Sequence, residues 1–342
     1  MAKAKEIEGL DCRAGAARGM RLVLLTRLGE VCRYREAALG RRSEDGVHDM
    51  RVASRRLRSV LRDFRTHLRV GKRLEEARAE LKRLGDALGA VRDEDVAIRA
   101  LEKLKGEAEG EAAAGLELLA DERRARREGA LEGLAAALDE GAFDAARLRL
   151  ASAFEKATAP RKSEVGEGEP CFSDLGRSVI ARLWEELCER GPHIFRPLKP
   201  KRLHKLRIAA KRLRYALELF AACSGEGLKK LAREVAGLQK ALGDLHDCDE
   251  WIKECGQFLS ESAARVGVSD EASARERREA ALLLLKHFLA KRDKHYVKAL
   301  AIWRGWEQDD FRARLAECLG GPLPPRRTTK KRTRPARESA TA

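Results

Sequence analysis

A basic segment with helical spacing occurs twice in this chain, and the duplication constrains the fold more than any other feature. Residues 47–65 carry His48, Arg51, Arg55, Arg58 and Arg62 at intervals of three and four, and residues 203–220 carry His204, Arg207, Lys211 and Arg214 in the same register. Such intervals place the cations on one arc of an α-helix. The apolar positions fall on an adjoining arc: Met50, Ala53, Leu57, Leu61 and Phe64 in one copy, Leu206, Ala210, Leu213, Leu217 and Phe220 in the other. A helix that buries the apolar arc holds its cations at the edge of the buried face, their stems packed on apolar neighbours. The expected geometry is a groove between helices. Arg56 and Arg212 point away from that arc.

The repeat extends downstream. Leu88-Gly89-Ala90-Val91-Arg92-Asp93-Glu94-Asp95 aligns with Leu242-Gly243-Asp244-Leu245-His246-Asp247-Cys248-Asp249. Here the glycine is expected to let the chain kink and Asp93 and Asp247 to cap the amides of a following helix. Apolar residues recur at helical spacing almost throughout, and few prolines and abundant Ala, Leu, Glu, Lys and Arg favour helix. The expected helices are 14–39, 45–69, 72–104, 111–139 and 143–157, then 173–190, 199–222, 226–244, 247–265, 271–291, 294–305 and 309–318. The chain divides into a first helical half (1–159), a polar linker between prolines (160–170), a second helical half (171–320) and a basic, disordered tail (321–342).

The net charge is +16, and seven of the cations lie between Arg326 and Arg337 in the tail. Their removal leaves the body basic. From Arg190 to Leu217 there are ten Lys and Arg residues and no acid, whereas a solvated helix intersperses signs. This concentration points to an anionic partner. No apolar run is long enough to span a bilayer, and the start of the chain has no apolar signal core, so a cytoplasmic protein with no membrane partner is expected. The eight cysteines are scattered without a Cys-x-x-Cys pair, which predicts neither a disulfide framework nor a zinc ribbon, and most are expected to be small buried residues.

A row of cations repels itself unless an anion neutralises it. Guanidinium forks suit phosphate oxygens, Lys adds a point charge, and the two leading histidines can donate to the same ligand. A nucleic acid also offers rows of phosphates. Single-strand binders, however, interleave stacking aromatics with their cations, and only Tyr215 borders the basic arc. The pairs His48-Asp49 and His246-Asp247 raise a metal-dependent phosphohydrolase as a third reading. Neighbours on a helix diverge, and the two pairs occupy non-equivalent places in the repeat, so they do not compose a ligand set of three. No cofactor is called for.

The doubled His-x-x-Arg-(Val/Ile)-x-x-(Arg/Lys)-Arg-Leu-Arg, with the Leu-Gly-x-(Val/Leu)-(Arg/His)-Asp that follows it, resembles the CHAD family, the conserved-histidine α-helical domain, over about residues 10–318. The resemblance implies an all-α fold of two homologous helical bundles about a pseudo-two-fold axis, with a basic central groove or pore that binds inorganic polyphosphate without catalysis. It further implies association with polyphosphate granules and their proteins. Carried onto this sequence, the binding residues are His48, Arg51, Arg55 and Arg58 from one copy and His204, Arg207, Lys211 and Arg214 from the other. Arg62 continues the first arc, and Lys201 stands among the extra cations upstream of the second. Glu6-Ile7-Glu8-Gly9-Leu10 faintly resembles the strand of the triphosphate-tunnel enzymes to which some members are fused, but lacks its Lys, and a stand-alone binding module is expected.

Overall fold

A computed structural model describes residues 5–40, 44–159, 170–264 and 271–323. The linker residues 160–169 and the tail from 324 onward, with its cations, lie outside the described residues. The described chain is helical throughout, without a strand; Gly15 and Cys171 form an isolated bridge. The elements are α1 (Ala16–Arg33), α2 (Arg35–Leu39), α3 (Glu44–Asp63), α4 (Lys72–Lys105), α5 (Gly110–Ala137) and α6 (Glu140–Ala157). They continue with α7 (Phe172–Arg190), a 3-10 turn (Gly191–Phe195), α8 (Pro200–Ser224), α9 (Glu226–Ala264), α10 (Glu271–Gln308) and α11 (Phe311–Cys318). None of these helices is long and apolar enough to cross a membrane.

The two basic segments are α3 and α8, and their apolar arcs are buried in one continuous core. Met50, Ala53 and Leu57 on α3, like Leu206, Ala210 and Leu213 on α8, are fully inaccessible to solvent. The two helices touch each other. Phe64 follows the end of α3 and lies 6.2 Å from Phe220 of α8, ring to ring, with Phe172 at 5.0 Å from Phe220. This knot of three rings seats against glycines: a Cβ at Gly176 would lie 2.4 Å from the Phe220 ring, and one at Gly19 would lie 2.3 Å from that of Phe172.

A second, smaller core lies between the distal parts of α4, α5, α9 and α10, around Leu101, Leu116, Cys255, Leu284 and Phe288. Helices α4, α5, α9 and α10 contribute to both cores. Two expected breaks, at 244–247 and 291–294, are therefore absent. Helices α9 and α10 run unbroken because their apolar spacing stays in phase from one core into the next and no proline interrupts it. For the same reason Asp93 and Asp247 sit inside helices and cap nothing, which corrects their expected role.

The helix expected to reach residue 69 ends at Asp63, where Phe64 turns into the core. The cysteines also depart from expectation. A disulfide joins Cys12 to Cys223, tying the segment before α1 to the end of α8, and of the six free thiols only Cys248 and Cys255 are buried.

If the ring knot holds α3 against α8, Phe220→Ala should lower unfolding free energy by about 3–5 kcal/mol. Urea denaturation followed by circular dichroism measures this, and a loss below about 1 kcal/mol would show that the knot is peripheral.

Candidate functional site

Where the two cores meet, a cavity of about 870 Å³ opens between α3 and α8 on one side and α4 and α9 on the other. Helix α3 contributes Arg51, Arg55 and Arg58 to its lining, and α8 contributes His204, Arg207 and Lys211. The opposite side carries Asp86 and Asp93 from α4 and Asp247, Glu250 and Glu254 from α9. A cationic wall thus faces a wall rich in carboxylates.

The two walls are in contact at defined points. Arg51 Nη1 donates to Asp93 Oδ1 at 3.0 Å. On the other side, Asp247 is the main carboxylate opposing Arg207. The glycines of the repeated segment lie beside these guanidiniums: a Cβ at Gly89 would be 3.8 Å from Arg51, and one at Gly243 would be 3.6 Å from Arg207, both ordinary contact distances. At Gly85 a Cβ would lie 2.2 Å from Arg58. Only Gly85 thus gives an arginine space that a side chain would fill, and the Leu-Gly of the repeat sits in continuous helices and does not kink the chain. Arg55 crosses to the other basic helix, its Nε donating to Tyr215 Oη at 2.8 Å.

Crowding of like charge shapes the titration of this wall. Burial, followed by the charges of Arg55, Arg207, Arg62 and Arg58, pushes the Lys211 ammonium down to about 7. Burial also makes charging Arg58 and Arg207 less favourable than in water. His204 is held below its ordinary value by burial and by His246, whose ring lies 4.3 Å away. The buried Nδ1 of His204 has no hydrogen-bond partner among the described residues. Burial raises the Asp247 carboxyl, against the opposing pull of Arg207.

Six of the ten residues expected from the sequence therefore meet at one cavity: Arg51, Arg55, Arg58, His204, Arg207 and Lys211. The other four do not line it. His48 is half-buried beside Arg92, whose charge, after burial, holds the imidazole below its usual value. Arg62 bonds Ser59 at 3.0 Å and pairs with Asp63. Arg214 is held by Glu218 at 2.6 Å and by Gln239. Lys201 is exposed on the first turn of α8. Arg212, already set aside by its direction, pairs with Asp63 and Glu186 and joins α3, α7 and α8.

Other lining residues were not singled out as binding residues from the sequence. His246 occupies the repeat position of Arg92, so the downstream alignment held a signal for it. Arg123 and Trp251 left none. Arg123 comes from α5, pairs with Glu94 and Glu254, and lies 5.6 Å over the Trp251 ring, which also stacks on Phe288. Among the described residues no group of three or more His, Cys, Asp or Glu is gathered so as to hold a metal ion.

Comparison with known proteins bears on this arrangement. The family model described as the CHAD domain matches residues 23–255, which span both basic helices and the cavity. The structure of the CHAD domain from the plant Ricinus communis is similar, with a TM-score of 0.64 at 23% identity, covering 87% of this chain and 95% of that one. PptA from Streptomyces chartreusis is similar at a TM-score of 0.59 and 16% identity, covering 85% of this chain and 100% of that one. These likenesses show the fold. No curated protein matches the chain.

The depressed Lys211 pKa has a consequence for stability. Between about pH 7 and the ordinary lysine value near 10.4 the unfolded chain binds a proton at this residue that the folded chain does not, so its contribution to stability rises with pH across that window. Urea midpoints should therefore increase from pH 7 to pH 10 more in the native protein than in Lys211→Met. Equal changes in the two proteins would mean that Lys211 titrates normally.

Proposed function

The chain belongs to the CHAD domain family, and we propose that its cavity binds inorganic polyphosphate without transforming it. The observation that carries this reading is the convergence of Arg51, Arg55, Arg58, Arg207 and Lys211 from two helices onto one cavity. A lone phosphate could satisfy only part of that wall. A linear chain of phosphates neutralises several cations at once, and guanidinium forks match its oxygens. Its arrival would also favour the charged form of Lys211.

The contribution of each half of the chain is unequal on this reading. Arg58 faces the cavity, while its repeat counterpart Arg214 is occupied by Glu218. Residues 1–159 then supply one half-site and residues 171–320 the other, with the stronger arginine row on the first. Binding of this kind would serve to place the protein, and other proteins attached to it, on polyphosphate granules.

Nucleic acid is the alternative polyanion, and Trp251 is the observation in its favour, since the ring lines the cavity. That ring is already engaged by Phe288 at 5.1 Å and by the Arg123 guanidinium, and Tyr215 is buried and bonded to Arg55. Neither resembles the open stacking platform that single-strand binders use. A bare phosphate chain requires no such platform.

In electrostatic binding of this kind log affinity falls linearly with log salt, with a slope of about −3.5 for five neutralised phosphates on a single-stranded polymer. Reversing Arg51, Arg55, Arg207 and Lys211 together should abolish retention on immobilised polyphosphate and flatten the salt dependence. Nucleic acid at equal phosphate concentration should fail to displace the polymer. Unchanged retention by the quadruple variant would remove the cavity from the account, and ready displacement would favour nucleic acid.

A further inference from the structure

The turn that leads into α8 presents a surface that the phosphate-binding cavity does not explain. Phe195 and Leu198 stand out from it, 51% and 82% exposed. Around them lie Arg196, Lys199, Lys201, Arg202 and Lys205, all exposed. None of these five side chains forms an ion pair with a described residue, and no carboxylate lies in the sequence between Arg190 and Leu217. Their combined field is felt at His193, which burial and then Arg202, Arg196, Arg190 and Lys205 hold below its ordinary value.

The segment is held firmly from below. Ile194 is fully buried, and its carbonyl accepts from Tyr296 Oη at 3.0 Å. Arg292 of α10 donates to the Pro197 carbonyl while its Nε pairs with Asp249 at 2.7 Å. The Lys199 amide donates to the Arg196 carbonyl at 3.1 Å, and Pro200 opens α8. Two large apolar side chains are therefore displayed on a braced turn among cations that pair with no described carboxylate.

We propose that this turn docks the protein on the surface of a bilayer containing anionic phospholipids. A phosphate polymer or a nucleic acid would neutralise these cations and leave Phe195 and Leu198 in water. A bilayer surface does both: its anionic headgroups meet the cations, and its acyl boundary takes the two apolar side chains. A protein partner would need an acidic surface with an apolar pocket shaped to this turn, a more demanding match than a lipid interface. The absence of a spanning helix is no obstacle, because an interfacial contact needs none.

The test is co-sedimentation of the full chain with vesicles of phosphatidylcholine containing phosphatidylglycerol, against vesicles of phosphatidylcholine alone. The native protein is expected to sediment with the anionic vesicles only. Phe195→Ser/Leu198→Ser should weaken that association by on the order of tenfold or more, the value of two buried apolar side chains, while leaving polyphosphate retention unchanged. Arg196→Gln and Lys199→Gln should each cost about fivefold. The basic tail and the cavity are intact in all of these variants, so neither can account for a loss. Three results would overturn the proposal: no sedimentation of the native protein with anionic vesicles, equal sedimentation of the Phe195/Leu198 variant, or a Phe195- and Leu198-dependent complex with an acidic protein in place of vesicle association. Loss of polyphosphate retention in the quadruple cavity variant, or its persistence, bears on the cavity alone.

Discussion

The burial of two apolar arcs against one core forces two rows of cations together, and much of the molecule follows from that constraint. Each basic helix carries its charges beside its buried face. When Phe64 and Phe220 draw α3 and α8 into contact, Arg51, Arg55 and Arg58 come to share one space with Arg207 and Lys211. Like charges in a partly desolvated space are costly. The structure offsets the cost in three visible ways. Asp93 and Asp247 oppose Arg51 and Arg207, Arg55 bonds the Tyr215 hydroxyl, and Lys211 is pushed toward neutrality. Each of these is an accommodation that a polyanion could replace.

The carboxylates opposite the cationic wall follow from the same constraint. Because α4 and α9 continue through both cores, Asp93 and Asp247 are carried inside helices to face the arginines. A ligand entering the cavity meets cations on one side and carboxylates on the other. On the proposed reading, a chain with many closely spaced charges competes with those carboxylates better than a small anion does. The braced turn before α8 is separate in character, since its cations pair with no described carboxylate and its apolar residues are exposed.

Local periodicity was enough to read the helical class, the two basic helices and their buried stripes, because three-four spacing specifies which residues share a face. It also separated Arg212 from the cavity row, and the structure spends that residue on Asp63 and Glu186. What periodicity could not supply was the identity of each neighbour. Arg62 and Arg214 share the right arc but find Asp63 and Glu218 on their own helices or beside them. Lys201 lies a turn too early to reach the cavity. Arg123 and Trp251 enter from α5 and α9 by packing of the second core, which no local pattern announces. Capping by Asp93 and Asp247 was the natural local inference, and it failed because helix continuity across two cores is a tertiary property.

The account turns on whether a phosphate chain occupies the space between α3 and α8. A crystal structure of the full chain with a polyphosphate of defined length tests this most directly. The account predicts a continuous chain of phosphates against Arg51, Arg55, Arg207 and Lys211, with Asp93 released from Arg51. A polymer seated elsewhere, with the Arg51–Asp93 pair intact and the cavity empty, would contradict it.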